Sequence, residues 1–89
     1  MRCVISVLGK DRSGIVAAVA TTLAECKANI DDISQTLLDD IFSMTMLVTL
    51  DTETAGFNEV QEKLAADGEQ LGVQITLQRQ DVFDYMYKI

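Results

Sequence analysis

The sequence predicts an α+β domain in which a four-stranded antiparallel sheet carries two helices on one face. Apolar and polar residues alternate strictly from Phe42 to Leu50, which is typical of a half-buried strand. Two other stretches place apolar residues at helical spacing. The elements follow one another as strand, helix, strand, strand, helix, strand. Right-handed crossovers then place both helices on the same face.

The first strand and the first helix are separated by a short polar loop. Residues 2–8 carry apolar side chains on both faces, as expected of a central strand. Ile15, Val19 and Leu23 then recur every four residues, so a helix with one buried stripe begins near residue 15. The hydroxyl of Ser13 is a candidate N-cap for that helix.

A hairpin is predicted for the middle of the chain. Residues 29–38 show no helical period and lead into Asp39-Asp40, a turn-forming pair, before the alternating strand. A two-residue turn fixes three cross-strand pairs: Leu37 with Phe42 and Ile33 with Met46 on the core side, and Gln35 with Met44. A polar residue opposite methionine requires the second strand to be an edge or to contain a bulge.

The second half of the chain repeats the pattern of helix and strand. The second helix is indicated by Phe57, Val60, Leu64 and Leu71, and Gly72 follows at a natural C′ position. The last strand contains Val73, Ile75 and Leu77, and the predicted spatial order of strands is fourth, first, third, second. The whole is a ferredoxin-like βαββαβ sandwich.

One domain over residues 1–89 is expected from the length, with 81–89 as a short C-terminal helical extension. Val82, Met86 and Ile89 stand at helical spacing in that tail. We expect it to cap the sheet face that the two helices leave open, because Phe83 and Met86 would otherwise be exposed to water.

Composition and charge narrow the possible partners. The net charge is −7, from 14 acidic and 7 scattered basic residues, which disfavours direct contact with nucleic acid or an anionic membrane. No signal peptide or membrane-spanning run is recognised. Cys3 and Cys26 lack metal-ligand or redox spacing, so we expect both to be reduced and packed close together. These features predict a cytoplasmic protein.

The residue types argue against catalysis. Histidine is absent, so Ser13 or Cys26 would lack an imidazole to activate it as a nucleophile. The carboxylates of Asp31-Asp32 point to opposite faces if they lie in a strand, and Asp39-Asp40 forms a turn. Two isolated cysteines supply no zinc site. The prediction is a protein without catalytic residues, metal or cofactor.

The stretch LGKDRSGI, residues 8–15, is the candidate binding loop. Gly9 and Gly14 have the spacing of a phosphate-binding loop, but Ile15 and Val16 replace the lysine and hydroxyl that such a loop needs. The start of a helix can still hold a carboxylate on its unpaired amides, and Asp11 can hold an ammonium group. Alternatively, Gly14 only lets the helix pack close to the sheet.

The stretch VLGKDRSGIVAAVATTLAECKANIDDIS is similar to the first half of an ACT domain, a regulatory amino-acid-binding module, and the resemblance extends over residues 1 to about 80. The segments NIDDISQT and FDYMYKI resemble small single-ACT proteins related to the glycine cleavage system transcriptional repressor. The resemblance implies a regulatory, ligand-sensing role without catalysis.

The ligand that the resemblance implies is an amino acid or a similar small metabolite, bound where two copies of the chain meet. The predicted ligand site consists of eight residues: Asp11, Arg12, Ser13, Gly14, Ile15, Asn29, Ile30 and Asp31. Asp11 stands where family members contact the bound amino acid, Gly14 where the backbone lies against it, and Asn29 where the partner's second strand reaches in. Three positions depart from the family pattern, since the charged Asp11 stands where an asparagine contacts the ligand, Ser13 replaces a proline and Lys27 a glycine.

The second strand is also the predicted edge of the sheet, and an uncovered edge invites pairing. We therefore expect a homodimer formed through the second strand and the first helix. Two alternatives remain open. The chain is an interaction module that docks a regulatory protein without a ligand of its own, or it is a small acylphosphatase-like enzyme that uses Arg12 and Asn29.

Overall fold

A computed structural model describes residues 1–86, and the predicted tail positions 87–89, Ile89 among them, lie outside the described residues. The elements are, in chain order, β1 (Arg2–Lys10), α1 (Ile15–Glu25), β2 (Asn29–Leu38), β3 (Ile41–Thr49), α2 (Phe57–Leu71), β4 (Val73–Arg79) and α3 (Gln80–Met86). The strands form one antiparallel sheet in the order β2-β3-β1-β4. The predicted architecture and strand order are confirmed.

The central strand β1 is longer than predicted, because it includes Gly9 and Lys10, which the sequence analysis assigned to the loop. Gly9 lies opposite Val73 of β4. A Cβ atom added to Gly9 would lie 2.7 Å from Cγ1 of Val73 and 3.0 Å from its Cα. The glycine therefore lets β1 and β4 approach closely at this point, and the loop proper begins at Asp11.

The core fills the space between one face of the sheet and the helices α1 and α2. Alternate residues of β1 and β3 point into it, as the two-residue period of a strand requires. Cys3 and Cys26 are both buried in this core and both free, and burial raises the pKa of the Cys3 thiol. The two cysteines act as small apolar side chains here.

The ends of α1 differ from the expected pattern. Gly14, not Ser13, is the N-cap, and no side chain caps the helix, so the predicted role of Ser13 is wrong. At the other end Lys27 has a φ of 57°, the left-handed conformation that a side chain disfavours. Its amide donates to the carbonyl oxygen of Ala24 at 3.1 Å, which closes the last turn.

The hairpin of β2 and β3 has the predicted register. Leu37 lies opposite Phe42, Ile33 opposite Met46, and Gln35 opposite Met44. The strand β2 is an edge, so the first condition set for Gln35 is met. The strand also contains an irregularity between Ile30 and Asp32, but it lies beyond Gln35 and does not shift the pairing of Gln35 with Met44. The turn begins at Asp39, whose φ of 57° suits the first position of a tight hairpin.

The expectation that β2 contributes to the core is wrong for this chain taken alone. All ten residues of β2 are exposed, including Ile33 at 41% and Leu37 at 57%. Their partners on β3 are buried because α1 and α2 cover β3, whereas the cover does not extend as far as β2. Alternation identifies the residues that share a face, but it does not say whether another element covers them.

The face of the sheet opposite α1 and α2 is called the open face below. Within the described chain α3 contacts only β1 and β4. Val4 points to the open face and is nonetheless only 3% exposed, so α3 covers that end of the face. The tail is thus a partial cap, and the other end of the open face remains exposed. Among residues 1–86, no helix has the length and apolar character needed to cross a bilayer.

Helix α2 lies close to β4 because Gly68 has no side chain. A Cβ atom there would lie 2.7 Å from the carbonyl oxygen of Val73 and 3.3 Å from Cγ1 of Ile75. Replacing glycine by alanine inside a helix ordinarily stabilises it by roughly 0.5–1 kcal/mol. Here we expect Gly68→Ala to destabilise the protein by about 1–3 kcal/mol, because the backbone must move apart. Urea denaturation measures the change.

The matched control is Gly56→Ala, because a Cβ atom at Gly56 would meet nothing within 4 Å and its φ of −74° suits any residue. We expect this variant to change the free energy of unfolding by less than about 0.5 kcal/mol. Stabilisation by Gly68→Ala would contradict the close approach of α2 and β4.

Candidate functional site

The loop from Asp11 to Gly14 is attached to two distant parts of the chain. The amide of Asp11 donates to the carbonyl oxygen of Asp40 in the hairpin turn at 2.8 Å. Nη1 of Arg12 donates to the carbonyl oxygen of Leu71 at 3.1 Å, at the C-terminal end of α2. A cation is favourable at that end of a helix. Arg12 therefore holds the loop in place.

Gly14 is glycine because of its backbone conformation. Its φ is +91°, and a Cβ atom placed on it would meet nothing within 4 Å. The alternative in which Gly14 lets the helix pack close to the sheet is therefore wrong. The residue is exposed, so its backbone is accessible from solvent.

The start of α1 presents backbone amides to the loop. The first turn of a helix leaves its amides without partners inside the helix, and no side chain caps this one. Ser13 is exposed, whereas the side chain of Ile15 is only 2% exposed and belongs to the core. Of Ile15, only the backbone amide is therefore placed to meet a ligand.

A groove of about 290 Å³ adjoins the loop, and it is lined by Asp11, Gln35, Thr36, Leu37 and Phe42. Its size suits a small metabolite rather than a large cofactor. Asp11 lines the groove, and the amides at the start of α1 follow it within four residues along the chain. Such a site offers a negative group to an ammonium and dipoles to a carboxylate, which are the two ends of a free amino acid.

The remaining predicted residues form a hydrogen-bonded cluster at the start of β2. Nδ2 of Asn29 donates to Oδ1 of Asp31 at 2.6 Å, and the hydroxyl of Thr49 donates to Oδ2 at 2.6 Å. Nε of Arg2 lies 3.8 Å from Oδ2 of the same carboxylate. The hydrogen bond from Thr49, followed by that from Asn29, lowers the pKa of Asp31 below its ordinary value.

This cluster and the loop lie at opposite ends of the sheet. Asn29 pairs with Thr49 at one end of β3, while Leu38 pairs with Ile41 at the other. Ten residues of strand separate the two ends by about 30 Å. One chain therefore brings Asp11, Arg12, Ser13, Gly14 and Ile15 together, but keeps them away from Asn29, Ile30 and Asp31.

The same separation bears on an acylphosphatase-like site. That chemistry needs an arginine and an asparagine around one anion, and Arg12 and Asn29 are at opposite ends of the sheet. Arg12 is also engaged with the carbonyl oxygen of Leu71. A single chain does not assemble the enzyme site.

A larger cavity lies away from the loop. It has a volume of about 400 Å³ and is lined by Met1, Arg2, Arg79, Gln80, Asp81 and Asp84. We regard it as less suited to a ligand, because Arg79 is paired with Asp81 at 2.8 Å and Arg2 lies near Asp31. Within residues 1–86, no group of three or more metal-ligating side chains is placed to hold an ion.

Sequence reasoning missed Gln35, Thr36, Leu37 and Phe42 as residues of the groove. The hairpin register already placed Leu37 beside Phe42 near the turn. The missing information was that the loop binds the turn through the amide of Asp11 and the carbonyl oxygen of Asp40. A backbone contact of this kind leaves no signal in residue types.

Comparison with known proteins gives a family match and near full-length relatives. The family model of the ACT domain matches residues 2–78. A UPF0237 protein of Methanocaldococcus jannaschii is 48% identical over 88 residues, covering 99% of this chain and 98% of the relative. The solved structure of an ACT domain protein from Streptococcus pneumoniae is 45% identical, with a TM-score of 0.81 and 98% of each chain covered.

A more distant likeness bears on the predicted relation to the glycine cleavage system repressor. The structure of a candidate repressor of that system shares 24% identity with this chain, with a TM-score of 0.79. The match covers 89% of this chain and 45% of the other. At that identity the likeness concerns the fold.

The ionised carboxylate of Asp31 accepts the hydrogen bonds that form the cluster at the start of β2. We expect Thr49→Val to raise the pKa of Asp31 toward its ordinary value, because it removes the hydrogen bond with the largest effect. A carbon-detected NMR titration of the side-chain carboxyl measures this. Thr45→Val, on the same strand but outside the cluster, is the control and should leave the pKa of Asp31 unchanged.

The sign of the pH dependence follows from the lowered pKa. The stabilisation by Asp31 is present above the pKa of the unfolded chain and is lost as pH falls through the lower folded-state value. Asp31→Asn should therefore reduce the loss of stability on acidification. An unchanged titration in Thr49→Val would contradict the role of that hydrogen bond.

Proposed function

Since the chain belongs to the ACT domain family, we propose that it is a non-catalytic, cytoplasmic regulatory module that binds an amino acid or a similar small metabolite at the interface of a homodimer. The observation that carries the proposal is the groove beside the loop, which is bounded by a strand that nothing covers. A second chain would supply both the cover and the missing half of the site.

The exposed strand β2 supports the dimer. Its hydrogen-bonding edge is free of any neighbour within the described chain. On the helix side Ile30, Ile33 and Leu37 are 38%, 41% and 57% exposed. Pairing of β2 with the same strand of a second copy would satisfy the edge and bury these side chains against α1 and β2 of the partner.

A two-fold axis across β2 makes the two strands antiparallel. The start of β2 in one copy then lies beside the end of β2 in the other. This places Asn29 of the partner subunit near Leu38 and the loop, although Asn29 and the loop are about 30 Å apart within one chain. The two halves of the predicted site come together only in this arrangement.

The ligand chemistry follows from the groups on each side. The carboxylate of Asp11 binds the ammonium, the amides of Ser13, Gly14 and Ile15 bind the carboxylate, and Asn29 of the partner subunit adds a hydrogen bond. Ile30 and Asp31 shape the edge of the strand that carries Asn29. Arg12 positions the loop through the hydrogen bond from its Nη1 to the carbonyl oxygen of Leu71.

A thermal-shift screen of the protein against the common amino acids tests ligand binding. A ligand at 100 times its dissociation constant stabilises the folded state by about 2.7 kcal/mol. If no amino acid raises the melting temperature, the chain is better explained as an interaction module that docks a regulatory protein.

Asp11→Ala tests the ammonium contact with the best ligand from that screen. We expect binding to weaken by about 1.5–3 kcal/mol, the value of a hydrogen bond to a charged group. Isothermal titration calorimetry measures it. Glu62→Ala removes an exposed carboxylate from α2 and should leave the affinity unchanged. Equal affinities for both variants would remove Asp11 from the site.

Leu37→Glu tests the dimer through β2. A carboxylate at this 57% exposed position is harmless to the single chain but would be buried in the proposed interface. We expect sedimentation equilibrium to show loss of the association through β2, while circular dichroism shows an unchanged fold. If the mass of the assembly is that of the parent protein, β2 is not the interface.

A further inference from the structure

We propose that Gln35 selects the side chain of the ligand, and that the groove prefers an amino acid whose uncharged, aliphatic side chain ends in a carboxamide, with glutamine as the best match. The inference rests on the function proposed above and names the class of ligand for the same groove. It follows from the residues that line the groove beyond the loop, where the side chain of a bound amino acid would lie.

Gln35 is a polar residue in an apolar row. It lies opposite Met44, which is only 1% exposed, so the side chain of Gln35 points to the helix side of the sheet. The residues two positions before and after it on β2 are Ile33 and Leu37, and they point to the same side. Gln35 thus interrupts a row of apolar side chains with a group that both donates and accepts hydrogen bonds.

The side-chain amide of Gln35 is available to a ligand. Gln35 is exposed and lines the groove together with Asp11. Within residues 1–86 its side chain forms no hydrogen bond to the protein, whereas the amide of Asn29 on the same strand is bonded to Asp31 at 2.6 Å. A free carboxamide offers one acceptor atom and two donor hydrogens, which match the same groups of a second carboxamide.

The groove has an apolar part between the loop and Gln35. Leu37 and Phe42 lie opposite each other and both line the groove, next to the turn that the loop binds. Gln35 is two residues further along β2, with its Cα atom about 7 Å from that of Leu37. A ligand held at the loop by Asp11 would therefore extend its side chain first over apolar surface and then to the amide. This order requires an apolar stem with a polar end.

Among residues 1–86, the groove contains no partner for a charged ligand side chain. Of the residues that line it, Asp11 is the charged one, and the ammonium group of the ligand occupies that carboxylate. The two cations beside Asp11 are engaged elsewhere, because Lys10 pairs with Asp40 at 3.7 Å and Arg12 donates to the carbonyl oxygen of Leu71. A side-chain carboxylate would thus lie near Asp11 without a counter-charge, and a second ammonium would lack a second carboxylate.

Glutamine combines these requirements. Two methylene groups separate its Cα atom from the carboxamide, whereas asparagine has one, and serine and threonine carry a hydroxyl directly on Cβ. The groove volume of about 290 Å³ leaves room for such a side chain. Methionine has a similar length without the hydrogen-bonding end, and glutamate has the same shape with a charge. These three amino acids therefore separate length, hydrogen bonding and charge within one series.

Isothermal titration calorimetry of the full chain with L-glutamine, L-methionine, L-glutamate and L-lysine tests the selection. We expect glutamine to bind about tenfold more tightly than the other three, because an analogue without the carboxamide leaves the amide of Gln35 unpaired. If an amino acid without a carboxamide binds as tightly as glutamine, the selection is overturned and the proposed function stands. If no common amino acid gives a thermal shift, both are overturned.

Gln35→Met tests the residue itself, because it keeps the length of the side chain and removes its hydrogen-bonding end. We expect the affinity for glutamine to fall about tenfold and the affinity for methionine to stay the same or rise. Gln74→Met, at an exposed position of β4 outside the groove, is the control and should change neither affinity.

Circular dichroism and sedimentation equilibrium of Gln35→Met should show the fold and the mass of the parent protein. If either differs, the ligand series on the parent protein decides. A Gln35→Met variant that folds and binds glutamine as tightly as the parent would show that Gln35 does not select the ligand.

Discussion

The cover that α1 and α2 provide ends at β3, and this limit determines what the chain needs from its surroundings. The three strands β4, β1 and β3 bury alternate side chains beneath the helices. The fourth strand, β2, continues the sheet and its alternation, but all ten of its residues are exposed. A domain of 89 residues buries a modest share of its surface, so an uncovered strand is a substantial loss. The binding groove, the split site and the free edge are all consequences of this one uncovered strand.

The sequence predicted the parts of the fold that depend on local periodicity and turn chemistry. The alternation in β3 and the pair Asp39-Asp40 were sufficient for the hairpin register, and Gly72 marked the end of α2. The errors concern relations between elements. The exposure of Ile33 depends on how far the cover of α1 reaches, and the extension of β1 to Lys10 depends on its pairing with Ile41. Neither quantity is encoded in the local pattern.

The candidate site shows the same division. Residue types were enough to predict an anion-binding helix start next to a carboxylate, and to exclude a phosphate-binding loop. The roles of Arg12 and Gly14 needed coordinates. Arg12 is a cation in a polar loop and would suit a ligand, yet it binds the end of α2. Gly14 was open to two explanations, and its backbone conformation together with the empty space around it decides between them.

The hairpin turn connects the proposed ligand site to the proposed dimer interface. The carbonyl oxygen of Asp40 accepts the hydrogen bond from the amide of Asp11, so the loop and the turn move together. Leu37 precedes the turn and belongs to β2, the strand of the proposed interface. A ligand that draws the loop toward Asn29 of the partner subunit would therefore displace the hairpin that forms the contact through β2. Because a paired hairpin shifts as a unit, a small change in the loop would alter the contact through β2, and this is a physical route by which binding changes assembly. A sensor with no catalytic residues needs such a route, since its only output is a change in what it binds.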